Sequence, residues 1–255
     1  MTINYDHSAN QHSLRGPQAF LPVMFEQIKP SSLIDVGCGV GMWTRAAMDL
    51  GIKDVLGVDG VEIPESQLLI PKQCFAVRDF TKDWNFGRSF DLAICFEVGE
   101  HLEKPSAPLL VKNLVAHSNT VIFSAACPGQ VGQYHINCQW PVFWQNLFNA
   151  EGFACDDSLR WKVWNDGRIE KWYRQNAFVA TRNPERAGRE DRIRPVVHPA
   201  YIYGDNYENI QDARFSSMMD IEDGMMTVGW YLSTPLKGLL AKFSNKISKS
   251  NRGKK

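Results

Sequence analysis

Short apolar runs alternate along the first two thirds of the chain with stretches whose apolar residues recur at helical spacing. A polar arm precedes a helix predicted over about 18–28, and Lys29-Pro30-Ser31-Ser32 breaks it. Leu33-Ile34-Asp35-Val36 is the first strand-like run; a Gly-rich turn follows and leads into a helix through 45–50. Residues 54–58 read as a second strand, ending at Asp59-Gly60, and 74–77 as a third, ending before Asp79-Phe80. Residues 90–96 are nearly all apolar, as a strand covered on both faces must be. Helical spacing returns over 108–117, a fifth strand over 120–125, a helix over 141–150 and a last sheet strand over 177–181. This alternation predicts an α/β fold: a doubly wound, mostly parallel seven-stranded sheet flanked by helices, with right-handed crossovers and a C-terminal extension.

The pattern changes near Arg182. Residues 182–195 are dense in alternating charge and contain Pro184 and Gly188, so they read as a linker or solvated connection. Residues 196–235 hold aromatics and Met without a clear period and read as an extension packed on the domain. In 236–255, Leu236, Leu239, Leu240, Phe243 and Ile247 fall at helical spacing among lysines, the pattern of a basic amphipathic helix. The expected organisation is an N-terminal arm and helix over 1–30, the α/β domain over 31–181, a linker and packed extension over 182–235, and a basic tail over 236–255.

Composition narrows the setting. At 255 residues the chain suffices for one sizeable α/β domain and an appendage. No apolar stretch approaches bilayer length and residues 1–14 have no signal-peptide core, so the cytoplasm is the expected location. The basic tail could hold the chain peripherally at the inner membrane surface, or simply pack on the protein's own core. Six scattered cysteines without a C-x-x-C pair predict free thiols. A net charge of zero argues against the whole chain being a basic nucleic-acid binder.

The candidate chemistry begins at Gly37, Gly39 and Gly41, directly after the first strand. Glycines at a strand-to-helix turn let the backbone approach a ligand closely, in the crevice where open α/β sheets bind ligands. A dinucleotide fingerprint would place a third glycine where Met42 stands. Asp59 closes the second strand at the spacing of a ribose-binding acid, a requirement common to nicotinamide and adenosylmethionine cofactors.

Taken in order, "LIDVGCGVG", the acid after the second strand, Asp79-Phe80 after the third and "DLAICFEVGEHL" at the fourth resemble class I, Rossmann-like, S-adenosylmethionine-dependent methyltransferases over about 31–181. "HSLRGPQAFLP", "VIFSAACPGQVGQYHINCQWPVFWQNLF" and "KWYRQNAF" are similar to a bacterial family of predicted methyltransferases of poorly defined substrate. The resemblance implies that Asp35, Gly37, Gly39 and Gly41 face the methionine part of the cofactor, that Asp59 holds the ribose, and that Asp79 and Phe80 contact the adenine. Asp79 could instead serve as a helix cap or turn residue.

Glu97, Glu100 and His101 stand at i, i+3 and i+4, on one face if the chain turns helically there. Carboxylates and an imidazole gathered at a strand's carboxyl end suit a divalent cation: Mg²⁺, Mn²⁺, Fe²⁺ or Zn²⁺. The arrangement resembles the metal-binding Glu-x-x-Glu-His of two groups: O-methyltransferases of ubiquinone biosynthesis, and enzymes that methylate the 2′-hydroxyl at small-RNA 3′ ends. His135, after the fifth strand, could complete the set, or act without metal as a general base. Candidate catalytic residues are therefore His135, Glu97 and His101. Tyr134 and Asn137 flank His135 and could touch substrate; Tyr5, His7 and His12 could close over the site; His117 reads as a surface residue.

Three functions compete: O-methylation of a small hydroxylated compound, sugar or glycan; 2′-O-methylation of RNA, which the neutral charge disfavours; and a non-catalytic cofactor-binding or assembly role. N- or C-methylation stays open, because cofactor recognition does not reveal the acceptor atom. Oligomeric state is not legible.

Overall fold

The computed structural model describes Tyr5 and residues 13–203. Seven strands form one sheet in the order β3-β2-β1-β4-β5-β7-β6. They are β1 (Ser32–Val36), β2 (Asp54–Asp59), β3 (Phe75–Val77), β4 (Leu92–Phe96), β5 (Thr120–Ser124), β6 (Phe153–Asp156) and β7 (Phe178–Arg182). Pairs β1·β2, β2·β3, β1·β4 and β4·β5 are parallel, and β7 runs antiparallel to both β5 and β6. The chain reverses its direction of winding between β1 and β4, so a crevice opens at the carboxyl ends of those neighbours.

Period-two alternation sorts the strand residues into two cores. Ile34, Ala93, Cys95, Val121 and Phe123 face α3 (Ala107–His117) and α4 (Pro141–Ala150), packing against Leu110, Leu114, Trp144 and Phe148. Leu33, Leu92, Ile94, Phe96 and Ile122 belong to the opposite core with Phe20, Leu21 and Met24 of α1 (Arg15–Phe25), Trp43 and Ala47 of α2 (Met42–Asp49), and Leu159 and Val163 of α5 (Ser158–Val163). A short α6 (Lys171–Asn176) leads into β7.

Several expectations need correction. The first helix begins three residues before the expected 18 and contains Pro22 in its interior. The edge strand β6 and the helices α5 and α6 carry no clear sequence period; they are short pieces settled by packing on neighbours. Segment 182–195 is not simply solvated. The Glu190 carboxylate accepts hydrogen bonds from Gln145, Asn149 and the Cys155 amide, Ile193 is buried, and the Arg194 carbonyl accepts from Arg160. His117 is buried, bridging the Asn113 carbonyl and the Phe86 amide. The six cysteines are unpaired. Among the described residues no helix is long and apolar enough to cross a membrane. His7, His12, the part of the extension beyond 203 and the basic tail 236–255 lie outside the described residues.

Candidate functional site

A cleft of about 560 Å³ opens at the carboxyl ends of β1, β2 and β4, within the size range of small-molecule sites. Its first wall is backbone. Gly37, Gly39 and Gly41 have φ of 83°, 53° and 89°, a left-handed run that side chains disfavour. At Gly37 a Cβ would stand 2.1 Å from the Val98 side chain, so close packing as well as φ requires glycine. Asp59, buried at the end of β2, accepts hydrogen bonds from the Gly39 amide at 2.8 Å and the Val61 amide at 3.0 Å.

Two expected cofactor residues stand behind this wall. Gly41 and Asp35 do not line the cleft. The Asp35 carboxylate accepts from both the amide and the hydroxyl of Thr44, tying β1 to the start of α2, and burial pushes its pKa up to about 7. Asp79 and Phe80 do line the cleft. The Asp79 carboxylate closes a turn with the Thr81 amide and hydroxyl and pairs with Lys82; those bonds, Thr81 first, hold its pKa low. Asp79 thus fills the turn role.

The second wall is side chains. Glu97 follows β4 with φ 53°, strained for a residue with a Cβ. Because Glu97 is left-handed and only Gly99–His101 forms a 3₁₀ turn, the helical face expected for Glu97, Glu100 and His101 does not form. Glu97 turns instead toward the Ser124 hydroxyl at 2.8 Å and the Gln130 amide at 2.7 Å. Glu100 sits beneath the cleft, fully buried, and neither of its carboxyl oxygens makes a hydrogen bond of good geometry. Burial and the neighbouring Glu97 charge push the Glu100 pKa well up; burial also raises that of Glu97. Potential ligand atoms of Glu100, His101 and His135 lie within 4.8 Å of one another, so the structure groups three of the four expected metal ligands and sets Glu97 apart. Burial and His135 lower the His101 pKa to about 4. His135 bonds through Nδ1 to the Gln130 carbonyl at 2.9 Å. The Tyr5 ring meets His101 edge-on at 4.8 Å between centroids, and Tyr5 lines the cleft.

A family described as a methyltransferase domain matches residues 5–154. The chain belongs to this family. No curated protein matches this methyltransferase. Among solved structures it is similar to S-adenosylmethionine-bound CalS10, an amino pentose methyltransferase from Micromonospora echinaspora, at 15% identity over 69% of this chain and 94% of that one, with a TM-score of 0.50. The methyltransferase domain of bacterial CtHen1 aligns at 16% identity over 66% and 100% of the two chains, TM-score 0.45. The plantazolicin methyltransferase BpumL aligns at 17% identity over 67% and 84%, TM-score 0.46. At such identities the likeness is one of fold.

Four residues of this methyltransferase's cleft region escaped the sequence reading. Ser124 and Gln130 grip Glu97, and Asn176 donates to the Gln130 side-chain oxygen at 2.9 Å. Gly132 packs against the His135 ring: a Cβ there would come within 2.2 Å of Nε2. None carries a sequence signal, because their roles come from contacts between elements. Tyr134 has φ 52° and is half exposed, whereas Asn137 is buried and donates to the Gly99 carbonyl, a structural bond.

Proposed function

We propose that the chain transfers a methyl group from S-adenosylmethionine to a hydroxyl of a small compound, sugar or glycan. The observation that carries the reading is the pairing, in one cleft, of Asp59 locked to the glycine loop with His135 opposite it. On this reading Asp59 holds the ribose, the backbone at Gly37 and Gly39 faces the methionine portion, and Phe80 borders the adenine. Bound adenosylmethionine supplies a methyl group already activated on a sulfonium. The chain's own work is then alignment and proton removal. The Gln130 carbonyl can only accept, so Nδ1 of neutral His135 carries the hydrogen and Nε2 presents a lone pair. Nε2 would then be the atom that takes the acceptor's proton during transfer.

Glu100, His101 and His135 also fit a divalent cation. The buried Glu100 carboxyl lacks well-formed partners, and the low His101 pKa keeps that imidazole neutral, as a ligand must be. A cation there would lower the pKa of a coordinated hydroxyl and fix its position. This trio also favours a second reading, 2′-O-methylation of RNA, against which the zero net charge weighs.

Product mass spectrometry with labelled adenosylmethionine tests the reading, offering sugar and small hydroxylated acceptors beside RNA. Methyl ethers on the small acceptors support it. Methylation confined to RNA, to nitrogen or to carbon overturns the acceptor assignment. Absence of transfer to every acceptor, with cofactor bound, favours a non-catalytic binding role.

A further inference from the structure

Behind the acceptor wall lies a row of buried amides. The His198 backbone amide donates to the Gln175 side-chain oxygen at 2.6 Å. The Gln175 nitrogen donates to the Asn176 oxygen at 3.0 Å, the Asn176 nitrogen to the Gln130 oxygen at 2.9 Å, and the Gln130 nitrogen to Glu97 at 2.7 Å. Gln175 and Asn176 are almost completely buried, so each amide depends on its neighbours for partners. The row also has a direction. A backbone N–H can only donate, which fixes the Gln175 oxygen toward His198; every later amide is then fixed in turn, and the last link presents an N–H to Glu97. Flipping any one amide would set oxygen against oxygen in a buried place.

Gln130 stands where this row meets the cleft. Its side chain holds Glu97, its carbonyl holds His135 Nδ1, and one residue thereby fixes two groups that arrive on different loops. Glu97 needs such restraint, since its left-handed backbone is unfavourable by itself.

We propose that Asn176 and Gln130 are positioning residues: a directional amide relay anchored at the His198 backbone orders the acceptor side of the cleft by fixing Glu97 and the loop that carries His135. The inference rests on the acceptor-side reading of Glu97 and His135. It separates the two walls of the site, because the relay bonds neither the glycine loop nor Asp59.

The test uses Gln130→Met in the full chain, which keeps the side chain's bulk and the backbone carbonyl that holds His135 but removes the side-chain amide; Asn176→Asp, which keeps its shape and removes the donor, serves if the first variant does not fold. Kcat is expected to fall about tenfold or more, the scale of a misplaced reacting group, with the calorimetric Kd for adenosylmethionine within about twofold of the parent. Unaltered kcat, or parallel loss of kcat and cofactor affinity, overturns the relay. If the parent chain methylates none of the acceptors, the proposed function fails on its own, and the imidazole ¹⁵N resonances of His135 decide the relay instead. A shift away from the Nδ1–H tautomer pattern in the variant supports it, and an unchanged spectrum sinks it.

Discussion

The two walls of the cleft are built by different means. The wall after β1 is set by local backbone geometry: three glycines with positive φ, with Asp35 and Asp59 pinning the loop through amides at most two strands away. The wall after β4 and β5 is set by side chains from Glu97, Gln130, His135 and Asn176, spread over eighty residues of sequence. A site part made from backbone tolerates little substitution but writes itself into a short motif. A part made from side-chain contacts is held by residues that look ordinary in sequence.

The comparison can be broken most directly on the backbone wall. Gly39→Val is expected to abolish adenosylmethionine binding, since it places a branched side chain at φ 53° in the loop the ligand must approach; a folded variant that still binds by calorimetry would move the cofactor elsewhere. Asp59→Ala removes a charged acceptor and is expected to cost roughly 1.5–3 kcal/mol of cofactor affinity. Unchanged calorimetric affinity would refute its ribose role.

On the side-chain wall, Gly132→Ala is expected to lower kcat about tenfold or more by pushing His135 aside, with cofactor Kd near that of the parent. On the cation reading, in which His135 Nε2 is a ligand rather than the base, exhaustive chelation is expected to abolish turnover and spare cofactor binding, and Mn²⁺ or Mg²⁺ to restore it. Full activity in metal-free protein would leave His135 as a metal-free base.

The remaining test concerns Asp35 and folding stability rather than function. Burial raises its folded pKa to about 7, above the ordinary aspartate value of 3.8. Its stabilisation is complete below the unfolded pKa and is lost as pH rises through the folded one, at a rate approaching about 1.4 kcal/mol per pH unit between the two values. Asp35→Asn keeps an oxygen for Thr44 and is expected to flatten the parent's decline between about pH 4 and 7 in denaturant titrations. Parallel pH profiles would show that Asp35 does not carry the linkage.

The sheet was legible wherever one strand faced two cores. Leu92–Phe96 is apolar at every position, and both faces are covered. Residues 153–156 and 171–176 were not, because an edge strand and a single helical turn or two are fixed by tertiary packing rather than by period. The sequence brought Gly37, Gly39 and Asp59 to one place, and all three line the cleft. The cluster around Glu97 was misjudged in one respect: i, i+3, i+4 spacing implies a shared face only in a continuous helix, and a left-handed residue at Glu97 breaks it. Gly132 shows the converse. Nothing in sequence distinguishes a glycine needed for space beside an imidazole from one needed for a turn.

Asp59 is tied to two backbone amides of the protein itself, so its carboxylate is held in place by the fold. On the proposed reading, that ready-made grip falls on the nucleoside, the portion that methyl transfer leaves unaltered. Affinity spent there is shared equally by the fresh donor and its demethylated remnant and lowers no barrier. The remnant therefore competes for the seat it has just used, and steady output from such an enzyme requires a neighbouring hydrolytic or cleavage reaction that keeps the spent nucleoside scarce.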